Sequence, residues 1–106
     1  MREPTYFILL SLLGGRLHGY GVAKRAEELS DGRVRLAAGT LYGALDRLTD
    51  QGLITVDGEE TVGGRKRRYY AITETGRTDV VAEVARLEAS AAAAKSVNLN
   101  MGTMNP

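Results

Sequence analysis

The sequence AGTLYGALDRL, at residues 38–48, predicts the amphipathic helix that decides the fold of this chain. Apolar side chains recur in it at i, i+3, i+4 and i+7, so they share one helical face. This apolar stripe consists of Leu41, Ala44, Leu45 and Leu48. The opposite face carries Thr40, Tyr42, Gly43, Asp46 and Arg47. A helix of this kind is buried along its stripe, which leaves the polar face open for a partner.

Two further helices are predicted on the N-terminal side. Pro4 suits the first turn of a helix, and the apolar run that follows predicts a first helix that extends to Leu13. Because this helix is apolar on all sides, it needs neighbours on several sides. We expect these neighbours to be the core of the domain and a second subunit. The next helix is predicted to begin at His18 and to run to about Leu29.

The segment between the second helix and residues 38–48 is predicted to hold a turn and a short strand. Ser30-Asp31-Gly32 is a turn signal, and residues 33–36 alternate polar and apolar side chains, as a strand does. His18 is the single histidine of the chain. A lone histidine at the start of a helix is more often a cap or a packing residue than a ligand or a base, so we assign it no catalytic role.

A hairpin with a basic end is predicted after the central helix. Residues 53–56 predict a strand, residues 57–64 predict a loop with two glycine signals, and residues 65–72 predict the returning strand. The returning strand begins with the cations Arg65, Lys66, Arg67 and Arg68. Such a cluster is often only a solvated surface. Which face of this strand is buried stays open, although Tyr70 and Ile72 form the more buriable pair.

A long final helix is predicted after the hairpin. Thr73 suits the N-cap position, with Glu74 in the first turn, and apolar residues recur along the helix at spacings of four, three and four. These residues are Val80, Val84, Leu87 and Ala91. The chain therefore divides into residues 1–72, the final helix at residues 73–96, and a tail at residues 97–106. Because the tail has no periodicity and is rich in Asn, Gly and Met, we expect it to be disordered.

The composition excludes several classes of protein. With 106 residues, of which 43% are hydrophobic, the chain is long enough for one domain with a core. It has no cysteine, one histidine and no phosphate-binding loop, so we expect no enzyme, no metal site and no cofactor. The apolar run near the N-terminus is too short for a membrane span and lacks the pattern of a signal peptide. We therefore expect a cytoplasmic protein. The net charge of +1 neither favours nor excludes a nucleic-acid partner.

The order of these elements predicts a mainly α winged helix-turn-helix domain with a small antiparallel β-hairpin. In this fold the second helix of the pair enters the major groove of DNA, where its N-terminal residues meet base edges. A basic hairpin tip contacts the phosphates beside the groove and adds affinity that does not depend on sequence. The helix at residues 38–48 would then be the recognition helix.

Five short motifs resemble the winged-helix signature of PadR-type transcriptional regulators. They are Leu17 to Tyr20, Gly39 to Leu48, Gly52 to Ile54, Gly64 to Tyr70 and Ile72 to Arg77. Each motif alone is weak, whereas five in the same order and spacing are specific. The resemblance implies a homodimeric repressor that binds a near-palindromic operator in double-stranded DNA. It also implies that a small aromatic or phenolic effector releases the repressor from that operator.

The resemblance further implies roles for individual residues. The positions that match the recognition helix are Thr40, Tyr42, Gly43 and Arg47, and those that match the wing are Arg65, Lys66 and Arg67. In this family the final helix makes the dimer by packing with the first helix of the other subunit. The residues that match this role are Leu9, Val80, Val84, Leu87 and Ala91. On this basis residues 1–72 form the DNA-binding domain and residues 73–96 the dimerisation helix, as in the short branch of the family.

Two departures from the family and several other interpretations stay open. The family often has proline at the position of Gly43, and some of its short members bind flat aromatics between tryptophans, which this chain lacks. Gly43 can serve close helix packing, Tyr42 can be a boundary residue packed under the wing, and Arg47 can pair with Asp50. The whole domain can also be a winged-helix module that binds another protein instead of a specific DNA sequence.

Overall fold

The computed structural model describes residues 1–97, which form four helices and one three-stranded antiparallel sheet. The helices are α1 (Glu3–Ser11), α2 (Gly19–Leu29), α3 (Ala38–Asp50) and α4 (Glu74–Ser96), and the strands are β1 (Leu17–His18), β2 (Ile54–Val62) and β3 (Arg65–Ile72). The hairpin of β2 and β3, called the wing below, follows the helix pair α2–α3. The predicted winged helix-turn-helix architecture is therefore confirmed. None of the helices within residues 1–97 is long and apolar enough to cross a membrane.

The apolar stripe of α3 is buried, as predicted. Leu41, Leu45 and Leu48 are at most 3% exposed, and Ala44 is 7% exposed. They pack into one core with residues from the other helices and from the wing, namely Ile8, Leu9, Leu12, Val22, Ile54, Tyr70 and Val80. Burying one aliphatic side chain of this size contributes about 1.5–3 kcal/mol. The stripe therefore holds α3 against the domain and keeps its polar face outward.

The predicted strand at residues 33–36 is wrong, and the third strand lies elsewhere. Residues 33–36 have no regular secondary structure. Val34 is buried against Phe7 and Ala26, and its N–H donates to the hydroxyl of Ser30 at 2.9 Å. The alternating side chains thus belong to a loop that is anchored by one apolar residue. The third strand is β1, which pairs with β3 to give the sheet order β1-β3-β2.

The wing is longer than predicted and its turn is tighter. Residues 57–64 were expected to form a loop, but most of them belong to β2, and the turn consists of Gly63 and Gly64. Both glycines have a positive φ, 57° and 79°, as a type I′ hairpin turn requires. Within this segment, Glu59 lies opposite Arg68 of β3 and Glu60 lies opposite Arg67. Opposite charges across two strands stabilise their pairing, which explains why this segment is extended.

A β-bulge interrupts the wing between Val56 and Glu59. At this point two residues of β2, Asp57 and Gly58, lie opposite one residue of β3, which is Tyr69. The φ of Gly58 is 106°, a value that glycine adopts without strain. A bulge bends the strand and increases its local twist, so this is the point where the outer part of the wing changes direction.

The buried face of β3 is the one that carries the predicted pair. Tyr70 is 2% exposed and belongs to the core, and Ile72 packs against that core while partly buried. Near the turn, Arg65 and Lys66 are exposed. β3 is therefore a core strand at its C-terminal end and a solvent-exposed strand near the turn.

The ends of the helices agree with the sequence to within two residues. The hydroxyl of Thr73 caps α4 by accepting a hydrogen bond from the N–H of Gly76 at 3.0 Å, as predicted. α1 ends at Ser11, slightly before the predicted Leu13. Residues 98–106, which make up nearly all of the tail expected to be disordered, lie outside the described residues.

Candidate DNA-binding surface

The polar face of α3 and the basic part of the wing border one open cleft of about 520 Å³. This cleft is lined by Tyr42 and Asp46 of α3, by residues 65–68 of the wing and by His18 at the start of α2. Four cations and one carboxylate thus face the same space. A cleft with an excess of one charge attracts ligands of the opposite charge. Tyr42 of the predicted recognition helix therefore lies beside the predicted wing cations, whereas Thr40, Gly43 and Arg47 lie on α3 outside this cleft.

All four residues assigned to the recognition helix are exposed: Thr40, Tyr42, Gly43 and Arg47. Apart from its chain neighbours and the adjacent backbone of α3, no described atom lies within 4 Å of the position that a Cβ on Gly43 would take, so the interpretation of Gly43 as a close-packing residue is wrong. Arg47 does not pair with Asp50 but donates from Nη2 to the hydroxyl of Thr5 at 3.4 Å. Such a long, exposed hydrogen bond costs little to exchange for a bond to DNA.

Tyr42 lies at the edge of this face, against the N-terminus of α2. Its ring carbon Cε1 and its hydroxyl oxygen are each 2.8 Å from the position that a Cβ on Gly19 would occupy. Gly19 is therefore the residue that allows the ring to approach α2. The side chain of Tyr42 is 46% exposed and borders the cleft. Tyr42 is thus a boundary residue, as one interpretation held, but it packs on α2 and still faces the candidate DNA surface.

The acidic residues of the wing neutralise only part of its positive charge. Nε of Arg68 donates to Oε1 of Glu59 at 3.3 Å. Glu60, which lies opposite Arg67 in the register, accepts a hydrogen bond from the hydroxyl of Tyr69 at 2.6 Å. Within residues 1–97, no ion pair involves the three wing cations that the sequence analysis assigned to DNA, Arg65, Lys66 and Arg67. Their charges are therefore available for phosphates.

His18 caps α2, as predicted. Its Nδ1 accepts a hydrogen bond from the N–H of Gly21 at 3.1 Å, which requires a neutral ring with its proton on Nε2. The ring lies nearly parallel to that of Tyr20 at 6.3 Å and edge-on to that of Tyr69 at 5.8 Å. Burial lowers the pKa of His18 below its usual value, and the positive charge of Arg67 lowers it further.

Protonation of His18 is expected to destabilise the domain. Because the pKa is lower in the folded chain than in the unfolded chain, the stabilisation is present above the unfolded pKa and is lost as the pH falls through the folded pKa. Asparagine is a good N-cap that does not titrate. His18→Asn is therefore expected to flatten the pH dependence of the free energy of unfolding between about pH 7 and pH 5, measured by denaturant titration. If the unmodified chain and His18→Asn show the same pH dependence of the free energy of unfolding, that dependence comes from titratable groups other than His18.

The five residues assigned to dimer contacts fall into two groups. Leu9 and Val80 are at most 1% exposed and lie in the core of their own chain, so they offer no surface to a partner. Val84 is partly buried, whereas Leu87 and Ala91 are exposed. The apolar character of α1 on all sides suggested a partner subunit, but α2 and α4 of the same chain pack against it. Of the five assigned residues, Val84, Leu87 and Ala91 are the ones that keep accessible surface for a partner.

Two residues, one in this surface and one that contacts the wing from outside it, were not predicted. Tyr20 is 71% exposed and borders the cleft. Its place directly after Gly19, in the first of the five motifs, was the available signal. Arg16 reaches the wing, where its Nη1 donates to the carbonyl oxygen of Asp57 at 2.7 Å. No periodicity or spacing in a sequence relates two residues that are so far apart.

The sequences of known proteins are similar to the part of this chain that forms most of the surface described above. A family model described as "Transcriptional regulator PadR-like family" matches residues 8–82. The transcriptional regulator Rv3488 of Mycobacterium tuberculosis is 37% identical over 81 residues, which cover 76% of this chain and 72% of the relative. The transcriptional regulator YqjI of Escherichia coli is 42% identical over 59 residues, which cover 56% of this chain. The chain spans only 27% of the length of YqjI.

Solved structures of Bacillus subtilis PadR share the fold. In complex with operator DNA, that protein superimposes on this chain with a TM-score of 0.68 and 26% sequence identity, over 78% of this chain and 47% of the other. In complex with p-coumaric acid, it gives a TM-score of 0.61 and 25% identity, over 78% of this chain and 44% of the other.

Proposed function

The chain belongs to the transcriptional regulator PadR-like family, and we propose that it is a homodimeric repressor of transcription. It binds a near-palindromic operator in double-stranded DNA and leaves it when a small aromatic or phenolic effector binds. As a member of this family the chain is a transcriptional regulator rather than an enzyme.

The observation that carries this proposal is the cleft between α3 and the wing. One border is the exposed polar face of a helix, and the other holds three cations without ion-pair partners among the described residues. The major groove of DNA admits one helix, and charged phosphates flank the groove on both sides. A helix beside a basic hairpin therefore matches both parts of a duplex. Bacillus subtilis PadR, which has the same fold, has been solved with operator DNA.

Within this proposal, base edges and phosphates are contacted by different residues. Thr40, Gly43 and Arg47 lie on α3 at spacings of three and four, so they form one line along its exposed side. This line enters the groove, where Arg47 has the donors to recognise a guanine edge. Lys66 and its neighbours in the wing contact phosphates, and Tyr42 donates its hydroxyl to a phosphate from the edge of α3.

The outer half of α4 supports a homodimer. Residues 85–93 are all exposed, and an isolated helix of this length is only marginally stable in water. Val84, Leu87 and Ala91 continue the side of α4 that carries the buried Val80, so an apolar stripe extends beyond the core of the subunit. A second copy of α4 would cover that stripe. A two-fold dimer then places two recognition helices against two half-sites, which explains why we expect a near-palindrome.

The effector part of the proposal rests on likeness to a relative. Bacillus subtilis PadR has been solved with p-coumaric acid, a phenolic acid. This chain covers less than half of that protein and contains no tryptophan. We therefore propose the chemical class of the effector and assign no residues to its site.

Selection of bound sequences from a random duplex pool tests the function. We expect enrichment of an inverted repeat with half-sites about 10 base pairs apart, centre to centre. Arg47→Ala is expected to relax the preference at individual bases, whereas Lys66→Ala is expected to weaken binding to all sequences alike. If the unmodified chain enriches no sequence and forms no complex with DNA in gel filtration, the domain is instead a module that binds another protein. If the two variants behave identically, the division between base and phosphate contacts is wrong.

A further inference from the structure

Arg16 lies outside the wing and connects it to the rest of the domain. It lies in the loop between α1 and β1, and its Nη1 donates to the carbonyl oxygen of Asp57 in β2 at 2.7 Å. Its guanidinium carbon lies 4.6 Å from the centre of the Tyr69 ring in β3, within the range of a cation–π interaction. One exposed side chain therefore touches both strands of the wing.

The bulge in β2 forms the place where Arg16 docks. In a bulge the extra residue is left out of the cross-strand ladder, so the carbonyl of Asp57 can accept a hydrogen bond from elsewhere. A Cβ on Gly58 would lie 2.8 Å from Nη1 of Arg16. Gly58 therefore allows the positive φ of the bulge and also leaves room for the guanidinium.

Tyr69 is the residue at which these contacts converge. It lies opposite the bulge in β2 and opposite His18 in β1, and its ring lies under the guanidinium of Arg16. Its hydroxyl donates to Glu60 at 2.6 Å, on the far side of the bulge. The bend in the wing is thus held from both sides, by Arg16 towards the helices and by Glu60 towards the turn.

We propose that Arg16, acting through Asp57 and Tyr69, is a positioning residue that fixes the angle of the wing relative to α3. This inference rests on the proposed binding of DNA. A wing that pivoted at the bulge would carry its cations through a range of positions, and only part of that range would meet phosphates while α3 lies in the groove. Holding the angle before binding lowers the entropy that the complex must lose.

The chemistry of the contact distinguishes this role from a simple charge effect. A guanidinium is planar, so it can stack on the Tyr69 ring and donate in its own plane to a carbonyl oxygen at the same time. An ammonium keeps the charge but lacks this plane. Arg16→Lys would therefore keep any direct attraction to phosphates and lose the hold on the wing.

Affinity for a duplex that carries the selected operator is the first measurement. We expect Arg16→Ala and Arg16→Lys to lower affinity alike, by about tenfold, and Tyr69→Leu to act in the same direction. Arg25→Ala is the matched control, because it removes an equal charge from an exposed arginine whose ion pair within residues 1–97 is with Glu28 on α2, and we expect it to change affinity little. An Arg16→Lys variant that binds as tightly as the unmodified chain would overturn the proposal.

A distance measurement without DNA separates this proposal from the proposed function. The chain has no cysteine, so spin labels can be attached at Glu27→Cys on α2 and at Thr61→Cys on the wing, both exposed positions. Singly labelled proteins identify any distances between subunits. We expect a narrow distribution in the labelled parent and a broader or shifted one with Arg16→Ala or Arg16→Lys. An unchanged distribution would overturn the proposal, even if the protein binds DNA, whereas failure of the unmodified chain to bind any duplex would overturn the proposed function alone.

Discussion

Gly76→Ala is expected to lower the free energy of unfolding by about 3 kcal/mol or more, at the upper end of the range for overpacked sites. A Cβ at this position would lie 2.1 Å from the carbonyl oxygen of Leu53 and 2.9 Å from Cγ1 of Ile72. The carbonyl belongs to the backbone and accepts the N–H of Thr73 at 3.0 Å, so it cannot move aside without breaking the junction between the wing and α4. The free energy of unfolding of a domain of this size is about 5–15 kcal/mol in total. The expected loss is therefore a large fraction of the stability.

The same substitution at Gly43 is the matched control. Gly43 also lies within a helix, but beyond its chain neighbours and the adjacent backbone of α3 no described atom is within 4 Å of the place where its Cβ would be. There alanine is expected to stabilise the helix by about 0.5–1 kcal/mol, because glycine loses more conformational freedom on folding. Denaturant unfolding of both variants measures the difference. Equal changes in the two proteins would show that the close approach of α4 to Leu53 is relieved by a small shift.

Removing the three unpaired wing cations together is expected to lower operator affinity by about two orders of magnitude at physiological salt. The variant is Arg65→Gln, Lys66→Gln and Arg67→Gln. Each phosphate contact that is lost reduces the slope of log affinity against log salt by about 0.9, so a dimer with two wings loses up to about five units of slope. The free energy of unfolding should change little, because these side chains are mostly exposed and form no ion pair among residues 1–97.

Arg68→Gln tests whether a wing cation contributes to operator affinity mainly when its charge is not already bound in an ion pair. Arg68 is in the same strand but is bound to Glu59, so its loss should affect affinity and salt slope less than the loss of any one of the three. Fluorescence anisotropy titrations over a series of salt concentrations measure both quantities. A fall in affinity at constant slope would mean that the wing acts through contacts other than phosphates.

The helices could be predicted from the sequence because each carries its own signal. The stripe of α3 has an i, i+3, i+4, i+7 period, and Thr73 and His18 have the hydrogen-bonding atoms that a cap requires. β1 has two residues, too few to show any period, and it exists only because β3 returns beside it. The apolar run in α1 was correctly predicted to be buried, but a periodicity cannot tell which chain covers it. Leu9 was assigned to a partner because the resemblance implies that the first helix packs against the other subunit, whereas the core of its own subunit surrounds it.

The candidate site could be predicted as a set of residue types but not as a geometry. Exposure of the polar face of α3 follows directly from burial of its apolar stripe. The four consecutive cations at residues 65–68 can be read directly from the sequence. That Arg68 is neutralised while Arg67 is not depends on the register of β2 and β3, since Tyr69 engages the carboxylate opposite Arg67. Register in turn depends on the bulge at Asp57 and Gly58. The glycine there was interpreted as part of a loop, although a glycine within a strand also signals a bulge.

The pairing of Leu17 with Tyr70 has a consequence for how this domain unfolds. The two residues are far apart in the chain, so closing the loop between them costs considerable chain entropy, and α2 and α3 both lie inside that loop. While β1 remains paired with β3, both ends of this loop are held on the domain, which limits the conformational entropy that α2 and α3 would gain by separating from it. We therefore expect the loop to open as one cooperative unit, whereas the end of α4 beyond Leu87, which lies outside it, frays independently. We therefore expect a strand of only two residues to influence the order of events during unfolding.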